Sequence, residues 1–144
     1  MIVNKGTLYW ITGLSGSGKT TISEILYKKI KRENINTILL DGDVLRDILG
    51  INKNGYDIES RYNVAMQYSK LSRLFTEQGI NVIFATISMF EKVRIWNRKN
   101  IDNYIEIYLK VPIEKILERD KNQLFSKALQ QKEKNVVGID ISFE

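Results

Sequence analysis

The stretch Gly13-Leu14-Ser15-Gly16-Ser17-Gly18-Lys19-Thr20 decides the fold of this chain. The apolar residues 7–11 before it predict a buried strand, and residues 20–33 after it carry apolar side chains at helical spacing. A strand, a glycine-rich loop that ends in Lys-Thr and a helix, in this order, provide the context that a phosphate-binding P-loop requires. The alternative is a glycine-rich turn that arose by chance, but such a turn is not expected to carry the required residue at every fixed position of the motif. The sequence therefore predicts a P-loop.

The residues of this loop predict how it binds ATP. Glycine has no side chain, so the loop backbone approaches the phosphates closely, and its N–H groups and the helix N-terminus meet the negative charge. We expect Lys19 to reach the β- and γ-phosphates, which makes it a catalytic candidate, and Thr20 to place its hydroxyl on Mg²⁺. The predicted ATP-binding residues are Gly13, Ser15, Gly16, Ser17, Gly18, Lys19, Thr20, Thr21 and Arg119.

Short apolar runs alternate with longer amphipathic segments, a pattern typical of α/β proteins. We predict a P-loop NTPase-type parallel sheet flanked by helices. Strands are predicted at residues 7–11, 37–40, 82–85 and 104–109. Helices are predicted at residues 20–33, 44–49, 58–78, 90–99 and 124–131, and at a further segment whose first turn begins at Pro112. Because 144 residues suffice for one core but hardly for two, we expect a single domain over residues 1–144, with a lid at about 119–137.

The composition excludes several kinds of chemistry. Cysteine and histidine are both absent, which removes disulfides, thiolate nucleophiles, imidazole acid–base catalysis and the usual zinc sites. Lys and Arg are scattered among acidic residues, so a small polyanionic substrate explains the net charge of +5 as well as a nucleic acid does, and we expect no nucleic-acid partner. No apolar run approaches the about 20 residues that span a bilayer, and the first residues lack the apolar segment of a signal peptide. We therefore expect a cytoplasmic protein without a membrane partner.

Two aspartates are the candidate acid–base groups. Asp41 and Asp43 follow the strand predicted at residues 37–40, and ligands of open parallel sheets collect at the carboxyl ends of the strands. In the absence of histidine, we expect Asp43 to accept the proton of an attacking hydroxyl and Asp41 to organise the waters of Mg²⁺. An ordinary Asp-Gly turn with a helix N-cap is an equal alternative from this feature alone.

Three arginines are candidate anion ligands. Arg46 lies one helical turn beyond Asp43, and Arg61 lies near the start of the long helix, so both can face the same crevice as anion clamps. Arg119 ends a helix beyond the last strand, where P-loop kinases carry a mobile lid, and is a candidate for stabilising the transferring phosphate. For each arginine, a solvated surface position is the alternative.

The aromatic residues divide into two groups. Tyr56 and Phe125 fall in predicted loop or lid segments, where they can stack on a base. The aromatic residues predicted to lie in the core are Tyr9, Trp10, Phe75 and Phe84.

The whole pattern resembles the adenylylsulfate kinase family. The likeness extends from the first strand to the end of the chain, and the combination of motifs is far more specific than the P-loop alone. The motifs, in order, are the P-loop, Leu40-Asp41-Gly42-Asp43 with Arg46, Ile87-Ser88, Arg119-Asp120 and Gly138-Ile139-Asp140. The C-terminal strand and helix of the family are not present in this chain.

The resemblance implies a reaction and a set of acceptor residues. It implies transfer of the ATP γ-phosphate to the 3′-hydroxyl on the ribose of a nucleotide, with Asp43 matching the hydroxyl-side aspartate of the family. Thr20 and Asp41 are the expected Mg²⁺ residues, and a homodimer is a further expectation. The implied acceptor-binding residues are Asp41, Asp43, Arg46, Tyr56, Arg61, Ile87, Ser88 and Lys127.

Departures from the family pattern fall on the acceptor side. The run at residues 60–67 keeps only Arg61 in register, and the family's asparagine is lost or displaced by one position. Met89, Glu91 and Val136 stand where the family has a proline, an arginine and an aromatic residue. Loss of one aromatic wall and one amide predicts weaker adenine binding, by roughly a few kcal/mol if stacking contributes about 1–3 kcal/mol. We therefore expect an adenylylsulfate kinase-like enzyme whose acceptor is an activated nucleotide. Cytidine diphosphoramidate kinase, a relative serving capsule decoration, is the alternative.

Two other classes remain open from the sequence. A polynucleotide or nucleoside kinase with a P-loop predicts phosphorylation of a 5′-hydroxyl or of simple nucleosides. A non-catalytic ATP-binding module predicts signalling through the lid, and the paired presence of Lys19 and Asp43 speaks against it.

Overall fold

Four parallel strands form the sheet of the computed structural model, which describes residues 4–51, 55–120 and 123–143. The strands are β1 (Thr7–Thr12), β2 (Thr37–Asp41), β3 (Asn81–Thr86) and β4 (Asn103–Tyr108). Their order across the sheet is β2-β3-β1-β4, and each neighbouring pair is parallel. The predicted α/β class is confirmed. The parts of the predicted domain and lid at residues 1–3, 52–54, 121–122 and 144 lie outside the described residues.

Six helices connect and follow these strands within the described residues. They are α1 (Lys19–Glu33), α2 (Gly42–Ile48), α3 (Ile58–Glu77), α4 (Glu91–Asn100), α5 (Ile113–Glu118) and α6 (Leu124–Leu129). The start of α2 lies two residues before the prediction because the side chain of Asp41 caps the helix and allows Gly42 to begin it. Pro112 is the N-cap of α5, immediately before the first turn instead of within it. None of these helices has the length and apolar character that a bilayer-spanning segment needs.

The main core lies where β3 packs between its neighbours. All six residues of β3 are buried, and Trp10 of β1 lies in register with Phe84 of β3, with ring centroids 5.1 Å apart. Tyr68 of α3 also packs on the Phe84 ring, with ring centroids 4.9 Å apart. Because all four strands run in the same direction, their carboxyl ends meet at one edge of the sheet, where the P-loop and α2 begin.

A second, smaller core joins the lid segment to the P-loop. Its buried residues are Leu14, Met89, Ile116, Phe125, Ala128 and Val136. Phe125, for which the sequence allowed base stacking, is only 2% exposed and packs in this cluster. The lid segment is therefore held to the P-loop by apolar contacts.

Candidate active site

A cleft of about 840 Å³ lies at the carboxyl edge of the sheet, between the P-loop, the start of α2, α3 and the lid segment. Its walls come from parts of the chain that are far apart in sequence. The site residues predicted from the sequence that line it are Ser15, Gly16, Gly18, Lys19, Thr20, Thr21, Asp41, Asp43, Arg46, Tyr56, Arg61, Ile87, Ser88, Arg119 and Lys127. The structure thus brings almost all of them to one cavity.

Two predicted ATP-binding residues, Gly13 and Ser17, do not line the cleft. They pack beneath the loop, where a Cβ built on Gly13 would lie 2.7 Å from Ser17 Oγ and 2.9 Å from the carbonyl oxygen of Leu109. Only glycine fits such a close approach. By contrast, Gly16 and Gly18 line the cleft with φ angles of 78° and 94°, a left-handed conformation that other residues rarely adopt.

Lys19 lies in the first turn of α1 and bends back over the loop. Its Nζ donates to the carbonyl oxygens of Gly13 and Leu14, at 3.0 and 2.7 Å. Burial lowers the pKa of Lys19 to about 8, and the negative charges of Asp43 and Asp41 oppose part of that shift. Both carboxylates therefore lie close enough to the ammonium group of Lys19 to act on its charge.

Asp41 fixes the local structure from which Asp43 projects. Its Oδ1 accepts hydrogen bonds from the backbone N–H groups of Asp43 and Val44, at 2.9 and 3.2 Å, and so caps α2. The alternative of an N-cap at this position is therefore correct for one oxygen of Asp41. Asp43 lies in the first turn of α2, with its side chain exposed to the cleft.

Arg46, Tyr56 and Arg61 form a cationic cluster that lines the cleft, and the part of the cleft around it is referred to below as the proposed acceptor end. The guanidinium carbons of Arg46 and Arg61 lie 4.4 and 5.1 Å from the centroid of the Tyr56 ring. Arg46 is only 5% exposed, so the alternative of a solvated surface arginine is wrong for it. Its Nη1 is buried and has no hydrogen-bond partner among the described residues. A buried guanidinium N–H without an acceptor is a site that an anionic ligand satisfies.

The positive charges of this cluster act on each other. The pKa of Arg61 is lowered, first by burial and then by the charge of Arg46. An anion bound between the two guanidinium groups would relieve this repulsion. The cluster therefore has the chemistry of a phosphate or sulfate subsite.

Arg61 also connects α3 to the lid segment. Its Nε donates to the carbonyl of Tyr56 and its Nη2 to the carbonyl of Asn135, each at 2.7 Å. The carboxylate of Asp140 in turn accepts from the N–H groups of Asn135 and Val136, at 2.6 Å each. Burial acts to raise the pKa of Asp140, but these two hydrogen bonds and the charge of Arg61 hold it below its usual value. The Gly-Ile-Asp triplet singled out in the sequence thus shapes the lid segment where Arg61 contacts it.

Asp120, beside Arg119, has a similar structural role. Its carboxylate accepts from the N–H and hydroxyl of Ser126, at 2.9 and 2.8 Å, and so anchors the start of α6. Burial acts to raise the pKa of Asp120, but the hydrogen bonds from Ser126 and its neighbours hold it below the usual range. Arg119, at the C-terminus of α5, and Lys127, on α6, are exposed where they line the cleft.

The segment after β3 supplies the wall at Ile87 and Ser88. The hydroxyl of Thr12 donates to the carbonyl oxygen of Ser88 at 2.9 Å and ties this segment to β1. Both residues line the cleft, and Ser88 is buried. The position of the Ile-Ser pair at the end of a central strand explains how it reaches the cavity.

The family model for adenylylsulphate kinase matches residues 5–144 of this chain. The chain belongs to the adenylylsulfate kinase family. The cytidine diphosphoramidate kinase of Campylobacter jejuni is 44% identical over 141 residues, which cover 98% of this chain and 82% of that protein. The adenylyl-sulfate kinase of Clostridium acetobutylicum is 38% identical over 146 residues, which cover 100% of this chain and 72% of that protein.

A solved structure supports the same assignment. The Mycobacterium tuberculosis APS kinase in complex with AMPPNP and APS matches with a TM-score of 0.87 at 28% identity, over 97% of this chain and 83% of that chain. The family resemblance inferred from the sequence is confirmed. So is the prediction of an ATP-dependent phosphotransferase of the P-loop kinase type.

The wall of the cleft is apolar at positions where the sequence of this adenylylsulfate kinase family member departs from the family pattern. Val64 and Ala65 of α3 line the cleft at the positions where the family run was lost. Val136, at the position of the expected aromatic residue, is buried in the second core and also lines the cleft. The altered residues therefore line the same cleft as the Arg46–Tyr56–Arg61 cluster.

Sequence reasoning missed several residues that line this cleft. Tyr68 of α3 and the lid residues Glu133, Lys134 and Asn135 were given no role. The only signal for the lid residues was their place within the predicted lid. Tyr68 had no signal of its own, because an aromatic residue at helical spacing predicts core packing.

The donor groups present fit magnesium bound mainly through phosphates. Within residues 4–51, 55–120 and 123–143, no group of three or more acidic residues is arranged to hold a metal ion. Mg²⁺ in kinases is held by one or two side chains together with the substrate phosphates. Thr20 and Asp41, both on the cleft, are of the types required.

Proposed function

We propose that this protein transfers the γ-phosphate of ATP to the ribose 3′-hydroxyl of an activated nucleotide, with cytidine diphosphoramidate as the first acceptor to test. One observation carries the proposal. Lys19 of the P-loop, the Arg46–Tyr56–Arg61 cluster and Asp43 all line the same cleft. A phosphate donor and an anionic acceptor can therefore bind in the same cavity.

The donor end would bind the triphosphate through the loop N–H groups and Lys19. On binding, Lys19 Nζ would leave the carbonyls of Gly13 and Leu14 for phosphate oxygens, which carry more negative charge. Arg119 and Lys127 of the lid segment would add positive charge around the transferring phosphoryl group and the acceptor. Mg²⁺, held by Thr20 with Asp41 acting through its waters, would neutralise charge on the phosphates.

Asp43 is the proposed general base. As the acceptor 3′-oxygen forms its bond to the γ-phosphorus, the bond from that phosphorus to the β,γ-bridging oxygen breaks and ADP leaves. The proton of the 3′-hydroxyl passes to the Asp43 carboxylate, which is exposed to the cleft.

The acceptor end favours a small activated nucleotide with negative charge. The unpaired Nη1 of Arg46 suits a phosphate oxygen, whereas the Tyr56 ring already has the guanidinium groups of Arg46 and Arg61 over it. Val136 and Val64 give the base pocket less stacking surface than the aromatic residue and amide expected of an adenine site. A pyrimidine has less stacking surface than adenine, so the free energy of its binding falls less when the wall of the pocket offers little stacking. The name of the relative at 44% identity, cytidine diphosphoramidate kinase, supports the same choice.

Adenylylsulfate is the second candidate acceptor. The family model and the relative at 38% identity both carry its name. A homodimer and a cytoplasmic location, both expected from the sequence, stay predictions.

A coupled ADP-release assay with Mg²⁺-ATP tests the proposal. The acceptors to compare are cytidine diphosphoramidate, adenylylsulfate, plain nucleotides and oligonucleotides. We expect the highest kcat/KM with cytidine diphosphoramidate and a product phosphorylated on the 3′-hydroxyl, identified by NMR. Absence of turnover with every acceptor would contradict the kinase proposal, and preference for adenylylsulfate would contradict the choice of acceptor.

A further inference from the structure

Tyr68 joins α3 to the turn that carries the two site aspartates. Its Oη donates to the carbonyl oxygen of Gly42 at 2.6 Å, across 26 residues of sequence. Gly42 stands between Asp41 and Asp43 and is the first residue of α2.

The position of Tyr68 is fixed by its surroundings. The side chain is only 2% exposed, and its ring packs on Phe84 at the centre of the sheet. Burial of a phenol hydroxyl is unfavourable unless it forms a hydrogen bond, so the bond to Gly42 determines where the hydroxyl points. Burial also raises the pKa of Tyr68 to about 12, with smaller opposing and reinforcing effects from Arg46 and Asp43. The hydroxyl therefore remains a donor throughout the neutral range.

The backbone of Gly42 is held from a second side as well. A Cβ built on Gly42 would lie 3.1 Å from Thr86 Oγ1, so the turn lies close against the end of β3. With the cap by Asp41, three contacts determine the direction in which α2 leaves the sheet. Only the contact from Tyr68 comes from α3, the helix that also carries Arg61.

We propose that Tyr68 is a positioning residue that holds the Asp41-Gly42-Asp43 turn and so sets how Asp43 presents its carboxylate to the acceptor. This inference rests on the proposed function for the role of Asp43. The phenol hydroxyl is engaged by the backbone of the turn. It acts through the carbonyl of Gly42, one residue before the base.

Tyr68→Phe tests this role because it removes only the hydroxyl and keeps the ring against Phe84. The matched control is Ser72→Ala on the same helix, which removes a buried hydroxyl that donates to the carbonyl of Tyr68 at 2.8 Å, one turn away from the cleft wall. For Tyr68→Phe we expect kcat to fall about tenfold, as loss of one hydrogen bond at a catalytic group implies, with the KM for ATP unchanged. Ser72→Ala should keep kcat within about twofold. Equal kcat losses in the two variants would overturn the inference.

A second measurement does not depend on turnover. Hydrogen exchange of the backbone amides of Asp43 and Val44, which Asp41 caps, should be about tenfold faster in Tyr68→Phe and unchanged in Ser72→Ala. Unchanged exchange in Tyr68→Phe would overturn the inference. If the wild-type protein turns over no acceptor, the proposed function fails, while the exchange rates still decide whether Tyr68 holds the turn.

Discussion

The two ends of the cleft are built in different ways. The donor end is formed by consecutive residues of the P-loop, whose backbone conformation depends on Gly16 and Gly18. The acceptor end is formed by side chains from α2, α3 and the lid segment, including Arg46, Arg61 and the residues around Asn135. Substitutions at the acceptor end can change individual contacts, whereas the donor end depends on one local conformation. Within one family, such a cleft can therefore keep its donor and change its acceptor.

Asp43 lines the cleft shared by the two ends, and its substitution should have the largest effect. Asp43→Asn removes the proposed base but keeps the size of the side chain. We expect kcat to fall by about a hundred- to ten-thousandfold, the usual contribution of a general base, while ATP binds with nearly unchanged affinity. Steady-state kinetics and calorimetric ATP binding measure the two quantities. The matched control is Asp47→Asn, on the same helix and exposed outside the cleft wall. A fully active Asp43→Asn variant would exclude Asp43 as the base.

Substitution of Arg46 tests whether acceptor binding can be changed without a change in ATP binding. Arg46→Lys keeps the positive charge but loses the planar fork of donors. Because a hydrogen bond to a charged group contributes about 1.5–3 kcal/mol, the KM for the acceptor should rise roughly ten- to a hundredfold. The KM for ATP should stay the same.

The control for Arg46→Lys is Arg98→Lys, at an exposed arginine that pairs with Glu106 on the sheet. It should leave both KM values unchanged. An equal rise of both KM values in Arg46→Lys would indicate that the two ends of the cleft do not act separately.

The pH dependence of ATP binding tests the donor end alone. Burial lowers the pKa of Lys19 to about 8 in the free protein, and only the protonated form attracts phosphate. Below pH 8, Lys19 is mostly protonated and the Kd for ATP should change little with pH. Above pH 8, the loss of this proton should raise the Kd for ATP by up to about tenfold per pH unit. Calorimetry between pH 7.5 and 9.5 measures this rise. In Lys19→Arg, whose side chain stays charged, the rise should disappear. A pH-independent Kd for the wild-type protein would be the contrary result.

The sequence predicted the fold and the P-loop from local patterns, for a physical reason. The P-loop is a local pattern, and the alternation of apolar runs with amphipathic segments reports directly on strands and helices. Most ends of the elements agreed within one residue, but α2 begins two residues before the prediction, at Gly42, because Asp41 caps it, and α6 ends two residues before the prediction, at Leu129.

The acceptor end depends on contacts that no local pattern carries. Tyr68 donates a hydrogen bond to the carbonyl of Gly42, 26 residues away in sequence, and Arg61 donates one to the carbonyl of Asn135, 74 residues away. Periodicity can mark Tyr68 as buried, but not which carbonyl its hydroxyl meets. The burial of Arg46 likewise depends on the Tyr56 ring and on how α2 packs, which sequence spacing alone does not specify.

The two hydrogen bonds from Lys19 to carbonyl oxygens of its own loop affect which nucleotides the loop binds. In the free protein, this ammonium group already satisfies two acceptors of its own loop, so the loop stays shaped around a cation before any ligand arrives. An incoming molecule must replace two neutral oxygens with ones that carry more charge, or it gains nothing from Lys19. Adenosine cannot make that exchange and a triphosphate can. The free loop thus favours nucleotides that carry phosphate over nucleosides, independently of the base.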